Sequence, residues 1–347
     1  MPVTRKTDKV RETFKKAKAN GPKPIWDLYR DGLTQGAIST FLDCPHQFWL
    51  RYVMGYRNKA KGGATAFGSA FHDILAMTEH APDGKKPKSL DQAVKAHLQS
   101  LGELTPSARE EVNCMLAQIK MLITEYNKHW SDDNSGREWI KREDTFNFTY
   151  PVSYHGRILE IPLRGRWDGV YRKGKKSRLR LHETKTKGRI DEEGIAKSLP
   201  FDTQTMLYSL AIKKELGETP SGTCYDIIRT PQQRLKVDEK LTDFVDRIQT
   251  EVVKDPAKYF LRFEVTITPK ELEAWETRFL RRVLASIVKW WESIKEHPAD
   301  PWKSDLHYMR PGAFWSMYGR SEFFEALTSG NTFSLERKEV PFPELVD

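Results

Sequence analysis

The sequence predicts an α/β protein with a mixed central sheet, and three observations carry that expectation. Apolar residues recur at helical spacing through the first 130 positions. A period-two alternation takes over near Glu143. A strand–helix–strand unit then follows. In chain order, Phe41, Leu42, Phe48, Trp49, Tyr52 and Val53 mark a helix over 39–54, with Ser39 as its N-cap. A Lys/Gly loop over 58–63 leads to a second helix over 66–78, whose inner face is Phe67, Phe71, Ile74 and Leu75. A breaker-rich loop covers 82–88, and helices are expected over 90–101 and 107–130. Residues 145–154 alternate as a strand, His155-Gly156 turns it, and 157–171 returns. A turn over 173–177 feeds a strand over 178–186, a helix over 201–216 and a strand over 223–229. A helix over 241–253, an extended run over 260–267 and a long helix over 269–295 complete the pattern.

This order divides the chain into a basic arm (1–30), a helical region (31–142), a sheet-bearing core (143–268) and a C-terminal helix with an aromatic tail (269–347). Residues 31–347 are expected to form one compact unit. Of the 347 residues, 38% are apolar, enough for a sizeable core, and the spread of charge excludes global disorder. No apolar run of about 18 residues exists, which excludes a membrane-spanning helix, and no apolar segment behind Met1 marks a secretory signal. The net charge of +9 favours an anionic partner. Cys44, Cys114 and Cys224 are not spaced as a disulfide framework or a zinc module, so they read as reduced thiols.

The chemistry concentrates in Gly165-Arg-Trp-Asp168 and Leu181-His-Glu-Thr-Lys-Thr-Lys187. On a strand, residues two apart share a face, so Glu183 and Lys185 project side by side, and a hairpin can bring Asp168 next to them. Two carboxylates make a hard oxygen site suited to Mg²⁺ or Mn²⁺, to which the carbonyl of Thr184 can add a ligand. The reaction that needs this set is phosphodiester hydrolysis, with Lys185 orienting water or stabilising the transition state. Taken alone, Glu-x-Lys is equally a solvated strand face with a surface ion pair. Gln204 and Tyr208, four apart on the next helix, share a face.

Taken in order, five motifs resemble the PD-(D/E)XK nuclease superfamily and its RecB-like exonuclease branch. They are residues 39–52, Phe67-Gly-Ser-Ala-Phe-His72, Gly165-Arg-Trp-Asp168, Glu183-Thr-Lys185 and Gln204-Thr-Met-Leu-Tyr208. The resemblance implies a restriction-endonuclease-like core and a metal-dependent DNA exonuclease active in DNA processing, recombination or repair, with a phage or mobile element as a natural source. A structure-directed endonuclease and a non-catalytic DNA-binding subunit are the competing readings. It also implies that His72, Asp168 and Glu183 bind metal, that Lys185 is catalytic, and that Gln204 and Tyr208 position the site or the DNA backbone. Gly68, one turn before His72, would permit close approach of the helix to the sheet. The expected location is the cytoplasm of a bacterial or phage-infected cell.

Many RecB-like nucleases carry an iron–sulfur cluster on one N-terminal and three C-terminal cysteines. Cys44 matches the first position, but no cysteine follows Cys224, so no cluster is expected. In that region stand Trp302, Tyr308, Phe314, Trp315, Tyr318, Phe323 and Phe324, and their packing against residues 39–52 is expected to replace it. Between Arg164 and Arg189 there are eleven Lys/Arg and two acids, Asp168 and Glu183, as in a cleft that tracks phosphates around a cation. Lys187 and Arg189 are the favoured phosphate contacts, with Arg166, Arg229 and Arg262 as further candidates for DNA, single-stranded or at duplex ends. No phosphate-loop motif of a helicase is present, so the expected partner class is a helicase, recombinase or single-strand-binding protein acting in trans.

Overall fold

The computed structural model describes residues 22–59, 63–79, 86–174, 176–316 and 319–345. The basic arm up to residue 21, parts of the loops over 58–63 and 82–88, and Tyr318 lie outside the described residues. The helices are α1 (Leu28–Asp31), α2 (Gln35–Asp43), α3 (Pro45–Phe48), α4 (Gly63–Glu79), α5 (Leu90–Ser100), α6 (Pro106–His129), α7 (Ser131–Ser135), α8 (Glu192–Ser198), α9 (Thr203–Leu216), α10 (Leu241–Lys254), α11 (Pro256–Tyr259), α12 (Pro269–Trp275), α13 (Arg281–Ile294) and α14 (Phe324–Ser329). The strands are β1 (Tyr56–Asn58), β2 (Arg137–Tyr154), β3 (Arg157–Lys173), β4 (Arg180–Lys187), β5 (Gly222–Arg229), β6 (Phe260–Thr266), β7 (Trp315–Ser316), β8 (Gly319–Arg320) and β9 (Leu335–Arg337). Strands β2 to β6 form one mixed sheet in the order β2-β3-β4-β5-β6, with β4 and β5 parallel. This is the expected α/β class.

Contacts divide the chain into two compact units. The first comprises Met1–Lys59, Thr149–Arg164 and Thr277–Asp347, and the second Ala60–Phe148 and Gly165–Glu276. In the first unit the expected helix over 39–54 is broken at Cys44: α2 precedes the break, and α3 runs on through a π-helical turn, Trp49–Val53, that ends close to the expected limit. α2 begins earlier because the side chain of Thr34, not Ser39, accepts from Ala37 N–H. It ends at Cys44, which is extended because Pro45 follows it. Behind α3 lies an edge-to-face aromatic core, with Phe48 against Trp26 at 5.1 Å and Trp290 at 5.4 Å. β1 pairs with β9, and Leu50 packs on Phe323, Ala326, Leu327 and Leu335. The tail therefore packs on the N-terminal helices, though not through all its aromatics: Phe323 is buried, whereas Trp315 is 60% exposed. Cys44 is buried, and the Arg310 N–H points at its sulfur at 3.4 Å. Next to it, His46 and His307 share a 2.8 Å hydrogen bond, with Trp302 4.7 Å from each ring.

In the second unit, α4, α5, α6 and α10 share a core in which Phe71, Ile74, Leu122, Ile123, Phe244 and Ile248 are buried. A second apolar cluster joins α9, through Ala211 and Ile212, to Phe146, Trp167, Val170 and Leu181 of the sheet. β2 starts at Arg137, before the alternation read from sequence, and the hairpin turn falls at His155 and Gly156, both at positive φ. No helix among the described residues is long and apolar enough to cross a membrane.

Candidate active site

The site is organised by β4. It pairs with β5 from Leu181–Thr223 to Lys187–Arg229, but its pairing with β3 stops at Gly169–His182. Asp168 and Glu183 are the first residues of the fork that follows. The two-residue period sends Glu183 and Lys185 to one face of β4 and His182 and Thr184 to the other.

Inside the fork the Thr184 N–H donates to Asp168 Oδ2 at 2.7 Å. Burial pushes the Asp168 carboxyl up, but the charges of His72 and Lys185 and the Thr184 N–H outweigh it and hold the group below its ordinary value. Glu183 is 1% exposed. Its Oε1 accepts from Lys185 Nζ and from Gln204 Nε2, the latter at 2.5 Å, while its Oε2 is buried without a partner among the described residues. Burial first, and the Asp168 charge second, push Glu183 up to about 8. Burial would lower Lys185, but Glu183 and Asp168 outweigh it, so the ammonium stays charged.

His72 comes from α4. A side chain at Gly68 would place its Cβ 3.0 Å from Thr186 Oγ1, so the glycine lets this helix lie close on β4. His72 Nδ1 is 3.7 Å from Asp168 Oδ2 and 3.6 Å from Glu143 Oε1. Burial lowers the imidazole pKa, and these two carboxylates more than reverse it. Glu143 was not among the residues singled out by sequence. It stands on β2 at φ +44, and its Oε2 lies 3.5 Å from Arg166 Nε. Its only sequence signal is an acid in Arg142-Glu143-Asp144, where the helical pattern gives way to alternation. Arg142 was also missed. Its buried guanidinium donates to the Asp168 carbonyl at 2.7 Å and bonds Glu79 on α4.

Gln204 sits in the first turn of α9, where Asp202 caps the helix by accepting from Thr205 N–H at 2.8 Å. Tyr208, one turn on, meets Phe146 edge to face at 5.2 Å. Of the basic residues, Lys187 and Arg229 face each other at the ends of β4 and β5, Arg189 is exposed just beyond, and Arg166 borders Glu143. Arg262 is placed differently. Its side chain is 5% exposed, it grips Asp226 at 2.5 Å and it bonds Asp133, so no phosphate can reach it. A strand-end position in sequence did not reveal that burial.

Among the described residues, ligand-type atoms gather within 4.8 Å of one another in His72–Glu143–Asp168 and in His182–Cys224–Asp226. The second group is already occupied by cations: Arg137 contacts His182 at 3.1 Å and Cys224 at 3.4 Å, and Arg262 takes Asp226. Burial and Asp226 push the Cys224 thiol up to about 12, so it stays protonated. The first group, with the orphaned Glu183 oxygen beside Asp168, fits a hard divalent cation: carboxylate oxygens, one imidazole and a neighbouring ammonium.

No curated protein matches the chain. Fourteen chains of solved structures match, among them the protein titled "Crystal structure of SSO0001", at 9% identity over 64% of this chain and 99% of that one, with a TM-score of 0.25, too low to carry an argument. The family model of the PD-(D/E)XK nuclease superfamily matches residues 32–305, well over half of the sequence. With that match over a mixed sheet that carries Asp168, Glu183 and Lys185 at its fork, this chain belongs to the PD-(D/E)XK nuclease superfamily.

Proposed function

We propose that this protein is a metal-dependent DNA exonuclease of the RecB-like kind, hydrolysing phosphodiester bonds in DNA processing, recombination or repair. The observation that carries the reading is the fork between β3 and β4, where Asp168, Glu183, Lys185 and His72 converge. The exonuclease assignment rests on the five ordered motifs. Asp168, His72 and Glu183 would hold Mg²⁺ or Mn²⁺, which when bound supplies Lewis acidity to a phosphoryl oxygen and to water. The protein's own groups do the rest. Thr184 N–H fixes the Asp168 carboxylate through a backbone that cannot rotate away. Lys185 remains cationic beside Glu183, placed to orient water or to stabilise charge on the phosphoryl oxygens. Gln204 holds Glu183 from the α9 side. Lys187 and Arg189 continue past the fork as contacts for the substrate backbone.

The test is digestion of end-labelled linear and closed circular DNA, single- and double-stranded, with Mg²⁺, Mn²⁺ or EDTA. Metal-dependent loss of linear DNA alone, abolished in Lys185→Ala and Asp168→Ala, is the expected result. Cutting of circles would replace the exonuclease by an endonuclease. Salt-sensitive DNA binding without cutting under any metal would leave a binding subunit.

A further inference from the structure

We propose that Glu143 is a protein ligand of the divalent cation, a carboxylate beyond Asp168 and Glu183. The inference rests on the metal-dependent reading above. Distances argue for it first. Glu143 Oε1 and Asp168 Oδ2 lie 3.6 and 3.7 Å from His72 Nδ1. Those separations are long for hydrogen bonds. They fall between the spacings of two ligands on one Mg²⁺ with bonds of about 2.1 Å, roughly 3.0 Å in cis and 4.2 Å in trans. All three ligand atoms lie within 4.8 Å of one another.

The backbone argues for it independently. Glu143 sits inside β2 at φ +44, a left-handed conformation that side chains with a Cβ rarely adopt and that strands rarely contain. Such a residue persists where its surroundings over-determine it, and these positions gather at working sites. The charges agree. Arg142 is spent on the Asp168 carbonyl and on Glu79. Glu143 lies near the Arg142 charge, and among the described residues its side chain meets the His72 imidazole at 3.6 Å and the half-exposed Arg166 at 3.5 Å. Glu183, next to the same carboxylates, has its Oε2 buried and without a partner among the described residues. Asp168 Oδ2 already takes the Thr184 N–H at 2.7 Å, but the Glu143 oxygens and the orphaned Glu183 Oε2, gathered near one imidazole, are acceptors that a bound cation would satisfy.

The experiment is Mn²⁺ titration of the full chain by calorimetry and by loss of the free-Mn²⁺ paramagnetic signal. Wild type is compared with Glu143→Gln, Glu143→Asp, Glu143→Gly and Asp168→Asn, with melting followed in EDTA. Glu143→Gln is expected to weaken Mn²⁺ at least 10-fold, as Asp168→Asn does, with Glu143→Asp recovering part of the loss. Glu143→Gly frees the backbone of its left-handed strain, and it should melt higher in EDTA while binding Mn²⁺ more weakly. Wild-type affinity in Glu143→Gln beside a weakened Asp168→Asn would overturn the proposal and leave the metal site standing. No Mn²⁺ binding by wild type would overturn both readings.

Discussion

Acid should loosen the first unit through two histidines, and the effect can be worked from their hydrogen bonds. Trp290 Nε1–H donates to His307 Nδ1 at 3.3 Å, so that nitrogen is an acceptor. His307 Nε2 therefore carries the ring hydrogen and donates to His46 Nδ1 at 2.8 Å. A proton added to either Nδ1 would set two donors against each other. Burial lowers His46 to about 4, and burial with the His46 charge lowers His307 to about 3. In the unfolded chain both titrate near ~6.5. Between those limits the unfolded state binds more protons, so stability is full above pH ~6.5 and falls as pH drops, until the folded-state values are reached. By pH 5.5 each histidine removes about 1.4 kcal/mol relative to pH 8, and the pair about 2.8 kcal/mol. Urea unfolding at pH 8, 6.5 and 5.5, followed by tryptophan fluorescence, measures this in wild type and in a His46→Gln/His307→Gln double variant. The double variant should start less stable and lose about 2.8 kcal/mol less across the window. An equally steep loss in both proteins would refute the neutral-pair argument.

Three further outcomes follow from packing and charge. A Cβ at Gly165 would lie 2.5 Å from the Phe146 ring and 3.1 Å from Tyr208, so Gly165→Ala should destabilise by about 1–3 kcal/mol in a denaturant titration. Phe323 is fully buried against the Leu50 and Leu335 cluster, and Phe323→Ala should cost about 3–5 kcal/mol, read the same way. If Lys187 and Arg189 each neutralise one DNA phosphate, their joint replacement by Ala should flatten the plot of log affinity against log salt by about 1.4–1.8. An unchanged slope would place the DNA elsewhere.

Much of the site was legible because its chemistry is local. Glu183 and Lys185 are two apart on one strand, Gln204 and Tyr208 four apart on one helix, and Gly68 stands one turn from His72; each spacing fixes a shared face before any tertiary contact exists. The hairpin at His155-Gly156 was legible for the same reason. What escaped depends on distant partners. Glu143 joins the site through a left-handed residue that no neighbouring sequence demands. Arg262 reads as a free strand-end cation until Asp226 and Asp133 are placed beside it. The break at Cys44-Pro45 was available in the sequence, since Pro restrains the residue before it, but the continuous apolar spacing masked it.

The pairing of His46 with His307 joins positions 261 residues apart. On a ribosome adding about 5–20 residues per second, the first histidine leaves the peptidyl-transfer centre about 13–52 s before the second is made. For most of that interval Phe41 and Phe48 lack Trp290, and for all of it Leu50 lacks Phe323. Ala60–Phe148 and Gly165–Glu276, by contrast, are complete once Glu276 has emerged. Translation thus favours a nuclease fork that closes early and a first unit that waits, which makes the apolar face of Phe41, Phe48 and Leu50 the natural target for chaperones during synthesis.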